Sequence, residues 1–284
     1  SELLQQRYLK EITEIELNEV KRQSANSGIL LNATGIRNHI LHEEFDFKFD
    51  VENFTDINRL IDGYEIMDTI NSAYDFHGHE ETAIIVRSNK RANLYNQQIR
   101  SRILFNENEL SPGDYLMVVK NNYHWLEPSS DAGFIANWDI VEVLEIFSFK
   151  NIYGFHFAEV KVRMVDYPKM RPFETVLLLD TIAVESASLS YEESNRLYQE
   201  VSKDYENETS NYKRFLGVKN NNFFNALQVK FSYAITCHKS QGGQWNTIFV
   251  EQPYLPEGMN RDYIRWLYTA ITRAKEKLYL IGFK

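Results

Sequence analysis

The sequence lacks several features that would assign it to a broad class of proteins. It has one cysteine, Cys237, in 284 residues, which excludes a disulfide framework and predicts a protein of the reducing cytoplasm. No apolar run approaches the roughly 18 residues of a membrane-spanning helix, and no signal peptide opens the chain. Acidic residues outnumber basic ones, 40 to 31, for a net charge of −9. This balance argues against coating of duplex DNA, but it leaves room for a local basic groove.

Two motifs of nucleotide-binding proteins are also missing. None of the 12 glycines is followed by lysine, so the phosphate-binding loop GxxxxGK followed by Ser or Thr is absent. No apolar strand ends in Asp-Glu. Because the chain opens on Ser1 rather than Met, we expect it to be a piece of a longer protein. Its composition, 43% hydrophobic and 14% aromatic, predicts a globular core.

The last fifth of the chain has the most informative pattern. A β-rich run at 229–236 is followed by the polar words CHKSQGG, a short apolar run at 247–250, and a helix that Asn260 can cap. A third strand is expected at 277–282. Strand, turn, strand, helix and strand in this order predict an α/β fold, in which ligands bind where strands end in loops.

The polar segment CHKSQGG supplies several hydrogen-bond donors in one place. His238, Lys239, Ser240 and Gln241 precede two glycines, and such a group suits the phosphate oxygens of a nucleotide or a nucleic-acid backbone. Arg273 comes where the helix ends, so its guanidinium can reach a charged ligand across a cleft. Taken singly, each of these features is more typical of a solvated turn or a surface arginine.

Together the segments resemble a known family. AITCHKSQGGQW is similar to motif V, and LYTAITRAKEKLYLIG to motif VI, of superfamily 1 DNA helicases. The HKSQG wording is closest to the RecD-like branch, which includes the alpha subunit of exodeoxyribonuclease V. Near the start, ELNEVKRQSANSGILLNATGIR resembles motif IV of the same helicases, and its Arg22 stands at the position of the family's γ-phosphate arginine.

The resemblance implies roles for individual residues. Arg22 and Arg273 are the expected catalytic residues at the γ-phosphate of ATP, whose Mg²⁺ complex would be bound mainly by a missing first motor domain. Gly242 and Gln244 are expected to contact the nucleotide, although the family usually has Glu where this chain has Gln244. The residues expected to contact single-stranded DNA are Ser88, Asn89, Thr236, His238, Lys239, Ser240 and Gln241.

The rest of the chain predicts two further units. Helices are expected after Ser27, around 57–73 and after the cap Ser88, with a buried strand at 82–86. Between 110 and 189, β-branched and aromatic runs separated by turns predict a small antiparallel barrel, which resembles the SH3-like insertion of RecD-type helicases. Its aromatic residues either stack on bases or fill the barrel core; they are Tyr123, Trp125, Trp138 and Tyr153. A charged helical connector at 190–225 returns the chain to the α/β unit.

These observations combine into one expectation for the fold. We expect an α/β, RecA-like domain of the P-loop NTPase type, the second motor domain of a helicase, without a P-loop of its own. Residues 1–109 and 190–284 would form this domain, and 110–189 would form the inserted SH3-like barrel.

Two functions are compatible with that fold. The first is the C-terminal fragment of an ATP-dependent DNA helicase, a hydrolase inactive alone, which is similar to enzymes of DNA repair and recombination that work with nuclease or repair-complex partners. The second is an ATP-independent adaptor that binds nucleic acid or protein and has kept the motor's shape.

Overall fold

The computed structural model describes residues 26–283, together with residues 7, 8 and 13, so Arg22 lies outside the described residues. No helix in this part of the chain is long and apolar enough to cross a bilayer. The helices are α1 (Gly28–His42), α2 (Gly63–His77), α3 (Asn89–Arg102), α4 (Asp180–Ala183), α5 (Tyr191–Lys203), α6 (Asn211–Lys219) and α7 (Arg261–Ile271). The strands are β1 (Ile57–Leu60), β2 (Thr82–Val86), β3 (Tyr115–Val118), β4 (Ile140–Ile152), β5 (Phe155–Met164), β6 (Phe173–Leu178), β7 (Leu227–Phe231), β8 (Ala234–Thr236), β9 (Trp245–Glu251) and β10 (Ala274–Ile281).

A parallel sheet forms the α/β unit that the sequence predicts. Its described strands lie in the order β1-β10-β9-β2-β8, and every neighbouring pair is parallel. Successive residues of β2 face opposite sides: Ile84 packs with α2 and α3, while Ile85 packs with α1 and α7. Because helices cover both faces, the central strands are continuous apolar runs rather than alternating ones.

The helix starts follow the capping residues in the sequence. Ser27, Ser88 and Asn260 each accept a hydrogen bond from a backbone N–H in the first turn of α1, α3 and α7. The expected helix at 57–73 is wrong in its first part, because Ile57–Leu60 is a strand that pairs with β10 at the sheet edge. The helix begins only at Gly63, where Asp62 caps it.

The barrel is closed, as expected for the middle of the chain. Its strands follow the order β3-β4-β5-β6-β7, and β7 pairs antiparallel with β3 and parallel with β6. The closing strand β7 therefore comes from the segment 190–284, beyond the expected end of the insertion at 189. The connector at 190–225 forms α5 and α6 and contributes to a small core against the barrel, through residues such as Leu197 and Val201.

The run at 229–236 is not one strand, because it divides between the barrel and the sheet. Asn96 on α3 is 2% exposed and holds the division: its Nδ2 donates to the carbonyls of Phe231 and Ala234, both at 3.1 Å. The backbone N–H of Ala234 donates to Asn96 Oδ1 at 2.7 Å. These bonds satisfy the backbone groups that the two sheets leave unpaired at the junction.

A buried ion pair joins the barrel to the sheet. Asp114, fully buried at the start of β3, accepts from Arg100 Nε at 2.9 Å and Nη2 at 2.8 Å. It also accepts from the hydroxyl of Tyr233 and the N–H of Ser111. The guanidinium of Arg100 lies 4.2 Å from the ring centroid of Phe231. The pair thus has the additional hydrogen bonds that a buried charge requires.

Candidate functional site

The polar segment between β8 and β9, residues 237–244, is named the polar crossover here. It begins beside the carboxyl end of β2, since Thr236 pairs with Val86, and ends at the amino end of β9, where Thr247 pairs with Thr82. These two levels are four residues apart, or roughly 13 Å along the sheet. The crossover therefore runs from the carboxyl ends of the sheet strands to their amino ends, whereas the sequence alone suggested a turn at the carboxyl ends.

Internal hydrogen bonds fix the first part of the crossover. Cys237–Ser240 form a 3₁₀ turn. The hydroxyl of Ser240, which is completely buried, donates to the carbonyl of Cys237 at 2.8 Å, and the N–H of Gly243 donates to the carbonyl of Ser240 at 3.1 Å. Ser240 thus shapes the turn, while the side chains of His238 and Gln241 are exposed.

The two glycines of the crossover are required for different reasons. Gly242 has φ +87°, in the left-handed region. Gly243 lies under the indole of Trp245, and a Cβ atom at this position would lie 2.4 Å from a carbon of that ring. Gly242 therefore permits the left-handed backbone conformation, and Gly243 permits the close approach of the indole.

Lys239 is the charged group of the crossover. Its side chain is half-buried, and burial lowers its pKa to about 8. Within residues 26–283 it has no carboxylate partner within salt-bridge distance.

Lys230, which sequence reasoning missed, lies near Lys239. It is 4% exposed; burial, with a smaller contribution from the charge of Lys239, lowers its pKa to about 8. Its ammonium donates to the carbonyls of Thr181 and Val184. Two neighbouring lysines with these pKa values favour an anion, because an anion would compensate the charge that burial penalises. In the sequence, Lys230 looks like an ordinary polar residue of a strand.

Arg273 lies at the end of α7, against the last part of the crossover. Its Nη1 donates to the carbonyl of Gly243 at 3.4 Å, and its Nε donates to the carbonyl of Thr269 at 3.1 Å. The N–H of Trp245 donates to the carbonyl of Arg273. The structure therefore brings Gly242, Gln244 and Arg273 together near the amino ends of β9 and β10.

Ser88 and Asn89 follow the carboxyl end of β2, near the start of the crossover. The hydroxyl of Ser88 caps α3 by accepting from the N–H of Arg91 at 3.2 Å. Asn89 donates to the carbonyl of Glu185 at 2.8 Å. Both side chains thus have structural contacts, and their expected contact with DNA stays a prediction.

A cleft of about 470 Å³ separates the crossover from the barrel. Lys239 and Gln241 line one side, Tyr115 and Trp138 line the other, and Glu80, Glu81 and Asp166 also face it. We call it the shared cleft. Trp138 is 40% exposed and has φ +86°, an uncommon backbone conformation for a bulky side chain. The cleft is therefore aromatic and of mixed charge.

His79, which lines this cleft, packs into an aromatic cluster. Its ring lies 4.4 Å from Tyr74 and 6.0 Å from Tyr233, measured between centroids. Burial lowers the pKa of His79, with opposing contributions from Asp75 and Glu80.

Comparison with known proteins identifies the same end of the chain. Residues 231–281 match the family model of the UvrD-like helicase C-terminal domain. Over 80 residues the chain is 40% identical to an uncharacterized protein of Methanocaldococcus jannaschii, a stretch that makes up 28% of this chain and 6% of that protein. The family match contains both the polar crossover and Arg273, and it supports the resemblance to superfamily 1 helicases.

Solved structures of Pif1 helicases are also similar. A structure of Bacteroides Pif1 bound to ssDNA matches 95% of this chain and 52% of its own, with 12% identity and a TM-score of 0.43. A structure of two coordinating Pif1 helicases at forked dsDNA matches 94% and 49%, with 14% identity and a TM-score of 0.44. The chain spans about half the length of these helicases.

Proposed function

We propose that this chain is the second motor half of an ATP-dependent helicase of superfamily 1, in its RecD-like branch, that moves along single-stranded DNA. The observation that carries the proposal is the contact between Arg273 and the carbonyl of Gly243. It joins the two segments that resemble motifs V and VI, 30 residues apart in sequence, at one edge of the sheet. The family match over 231–281 supports it.

The nucleotide would bind at the amino ends of β9 and β10, between this domain and a first RecA-like domain of the whole protein. Hydrolysis of ATP, with Mg²⁺ at its phosphates, supplies the free energy for movement. The residues present fit a nucleotide: the guanidinium of Arg273 and the backbone of Gly242 can donate to phosphate oxygens. Arg273, together with Arg22, would stabilise the charge that develops during phosphoryl transfer. Gln244 can hydrogen-bond a ribose hydroxyl but lacks the charge of the usual Glu.

The single strand would bind at the other end of the polar crossover. Lys239, with Lys230 behind it, supplies positive charge for a phosphate, and the exposed side chains of His238 and Gln241 supply further polar contacts. Because one short segment joins the strand side to the nucleotide side, closure of the nucleotide cleft would move the strand contact with it. The barrel, SH3-like in this proposal, lies across the shared cleft from these residues.

The test uses the whole protein that contains this chain. We expect a P-loop and an Asp-Glu strand in the sequence that precedes residue 1 of the chain, and ATP hydrolysis that single-stranded DNA stimulates. A matched preparation of the 284-residue chain should hydrolyse no ATP. Binding of single-stranded DNA by a whole protein that has neither motif nor ATPase activity would overturn the motor and favour the adaptor.

A further inference from the structure

The barrel has a second cleft, of about 350 Å³, at the end of β3 away from the shared cleft. Its walls come from the segments after β3 and after α6, and its polar lining includes Lys120, Asn121, Asn122, Lys219, Asn220 and Asn225. We call it the asparagine cleft. No Asp or Glu is among the described residues that line it, although the whole chain has 40 of them and a net charge of −9. A cleft without acidic residues on an acidic protein favours an anionic ligand.

The two lysines of this cleft differ from the three described lysines that form ion pairs with carboxylates. Lys150, Lys203 and Lys275 each pair with a glutamate at 2.7–2.8 Å. Within the described part of the chain, Lys120 and Lys219 form no such pair. Their ammonium groups are therefore available to phosphate oxygens, the usual partners of lysine in backbone contacts to nucleic acid.

Hydrogen bonds hold the amide side chains of the cleft in place. Asn121 accepts from the N–H of Asn137 at 2.7 Å and donates to the hydroxyl of Tyr123 at 3.2 Å. Asn122 donates to the carbonyl of Asn225 at 2.8 Å. Asn225 in turn donates to the carbonyl of Lys219 at 2.7 Å. A ligand would thus meet walls that are already ordered, which reduces the entropy lost on binding.

An exposed aromatic ring lies at the cleft. Tyr123 lines it and is 71% exposed, and its ring stacks on Phe134 with centroids 4.8 Å apart and planes 24° apart. This contact and the bond from Asn121 fix the ring while most of its surface stays accessible. An ordered, exposed ring is the platform on which unpaired bases stack.

The two clefts lie at opposite ends of the same strand. Met117 lines the shared cleft and Lys120 lines the asparagine cleft, three residues or roughly 10 Å away. The loop between them links both: Trp138 lines the shared cleft, its N–H donates to the carbonyl of Val118, and its neighbour Asn137 bonds Asn121. Asn137 and Trp138 are exposed, so a chain bound at Lys239 would pass over them to reach Lys120.

We propose that the asparagine cleft binds single-stranded nucleic acid, with Lys120 and Lys219 on backbone phosphates and Tyr123 under a base. The cleft would be a second contact for the nucleic-acid strand held at the polar crossover. This proposal rests on the proposed function, in which that strand is single-stranded DNA. The lining without carboxylates favours a ligand with phosphate groups. The exposed ring of Tyr123 favours a single strand over a duplex, because only an unpaired base can stack on it.

The test measures equilibrium binding of labelled oligonucleotides by the whole protein without ATP. We expect the double variant Lys120→Ala/Lys219→Ala to bind a strand of about 16 nucleotides, the upper site size for a small barrel, about tenfold more weakly. Its salt slope should fall by about 1.4, or about 0.7 for each lost phosphate contact. A strand of about 4 nucleotides, which Lys239 alone can hold, should bind as before. The control is Lys213→Ala, which removes one positive charge from α6 outside the cleft, as each of the two substitutions does inside it.

The base contact has its own readout. Tyr123→Ala should weaken binding of an ordinary strand about fivefold or more, but it should leave binding of an abasic strand unchanged. Tyr123→Phe loses the bond from Asn121 but keeps the ring that stacks on Phe134, so it should weaken binding much less than Tyr123→Ala. Far-UV circular dichroism checks that each variant is folded.

Each outcome distinguishes this proposal from the proposed function. Equal binding by the double variant and by Lys213→Ala would overturn the asparagine cleft, and a loss on Lys239→Ala in the same assay would leave the proposed function intact. A tenfold loss in the double variant of a protein without ATPase activity would support the cleft and contradict the motor.

Discussion

The two clefts beside β3 differ in charge and in how the sequence builds them. The shared cleft is of mixed charge and includes the polar crossover, whose residues are contiguous and resemble a motif. The asparagine cleft has no acidic lining and joins residues such as Asn122 and Asn225, which are 103 positions apart. A motif reveals the first kind of site because its residues adjoin in sequence. The second kind emerges only from the fold, so charge and exposure have to identify it.

The largest expected effect tests the nucleotide end of the polar crossover. Arg273→Ala in the whole protein should slow DNA-stimulated ATP hydrolysis about a thousandfold, or about 4 kcal/mol, because it removes the positive charge that stabilises phosphoryl transfer. Binding of single-stranded DNA should change little, since Arg273 contacts the far end of the crossover. Arg265→Ala, on the preceding turns of α7, is the control. Unchanged turnover in Arg273→Ala would refute its catalytic role.

The sequence predicted most of the α/β unit because its signals are local. The caps Ser27, Ser88 and Asn260 mark the starts of their helices, and the apolar run of β2 marks a strand covered on both faces. Where a distant partner decides the structure, the prediction was wrong. Ile57–Leu60 is a strand because β10 offers its edge, and nothing within the segment signals that partner.

The barrel and the site show the same limit. The run at 229–236 divides between two sheets because Asn96, more than 130 residues earlier, binds its backbone. For the site, the chemistry of the crossover could be predicted, since donors and glycines adjoin in sequence. Its path from the carboxyl ends to the amino ends of the strands could not, because that path depends on the pairing of β8 with β2. The proximity of Lys230 to Lys239 could not be predicted either, because Lys230 lies on the barrel strand β7 and Lys239 follows the sheet strand β8.

The next largest effect concerns the buried ion pair between Arg100 and Asp114, which joins the barrel to the parallel sheet. Asp114→Ala should lower the free energy of unfolding by about 3 kcal/mol, because it leaves the buried charge of Arg100 without its partner. Denaturant unfolding measures this. The control is Lys150→Ala, which breaks an exposed pair with Glu159 and should cost under about 1 kcal/mol. A cost as small for Asp114→Ala would show that the junction does not depend on the pair.

A smaller effect distinguishes the clefts by pH. Burial lowers the pKa of Lys239 and of Lys230 to about 8, so their charge is present below that pH and is lost as pH rises through it. Binding of a short strand at the crossover should therefore weaken about tenfold between about pH 7 and about pH 9. Lys239→Arg should remove most of this dependence, because arginine stays charged. A flat profile in the unaltered protein would mean that these lysines do not contact the strand.

The smallest effect separates two glycines of the crossover. Gly242→Ala should cost about 1 kcal/mol of stability, because alanine is strained at φ +87°, and nothing lies within 4 Å of the added methyl group. Gly243→Ala should cost at least as much and should also displace the indole of Trp245, whose ring carbon would lie 2.4 Å from the new Cβ. Tryptophan fluorescence should therefore change in Gly243→Ala and stay constant in Gly242→Ala. The same spectrum for both variants would contradict the close approach of Trp245 to the crossover, and strand binding in the asparagine cleft should be unaffected by either change.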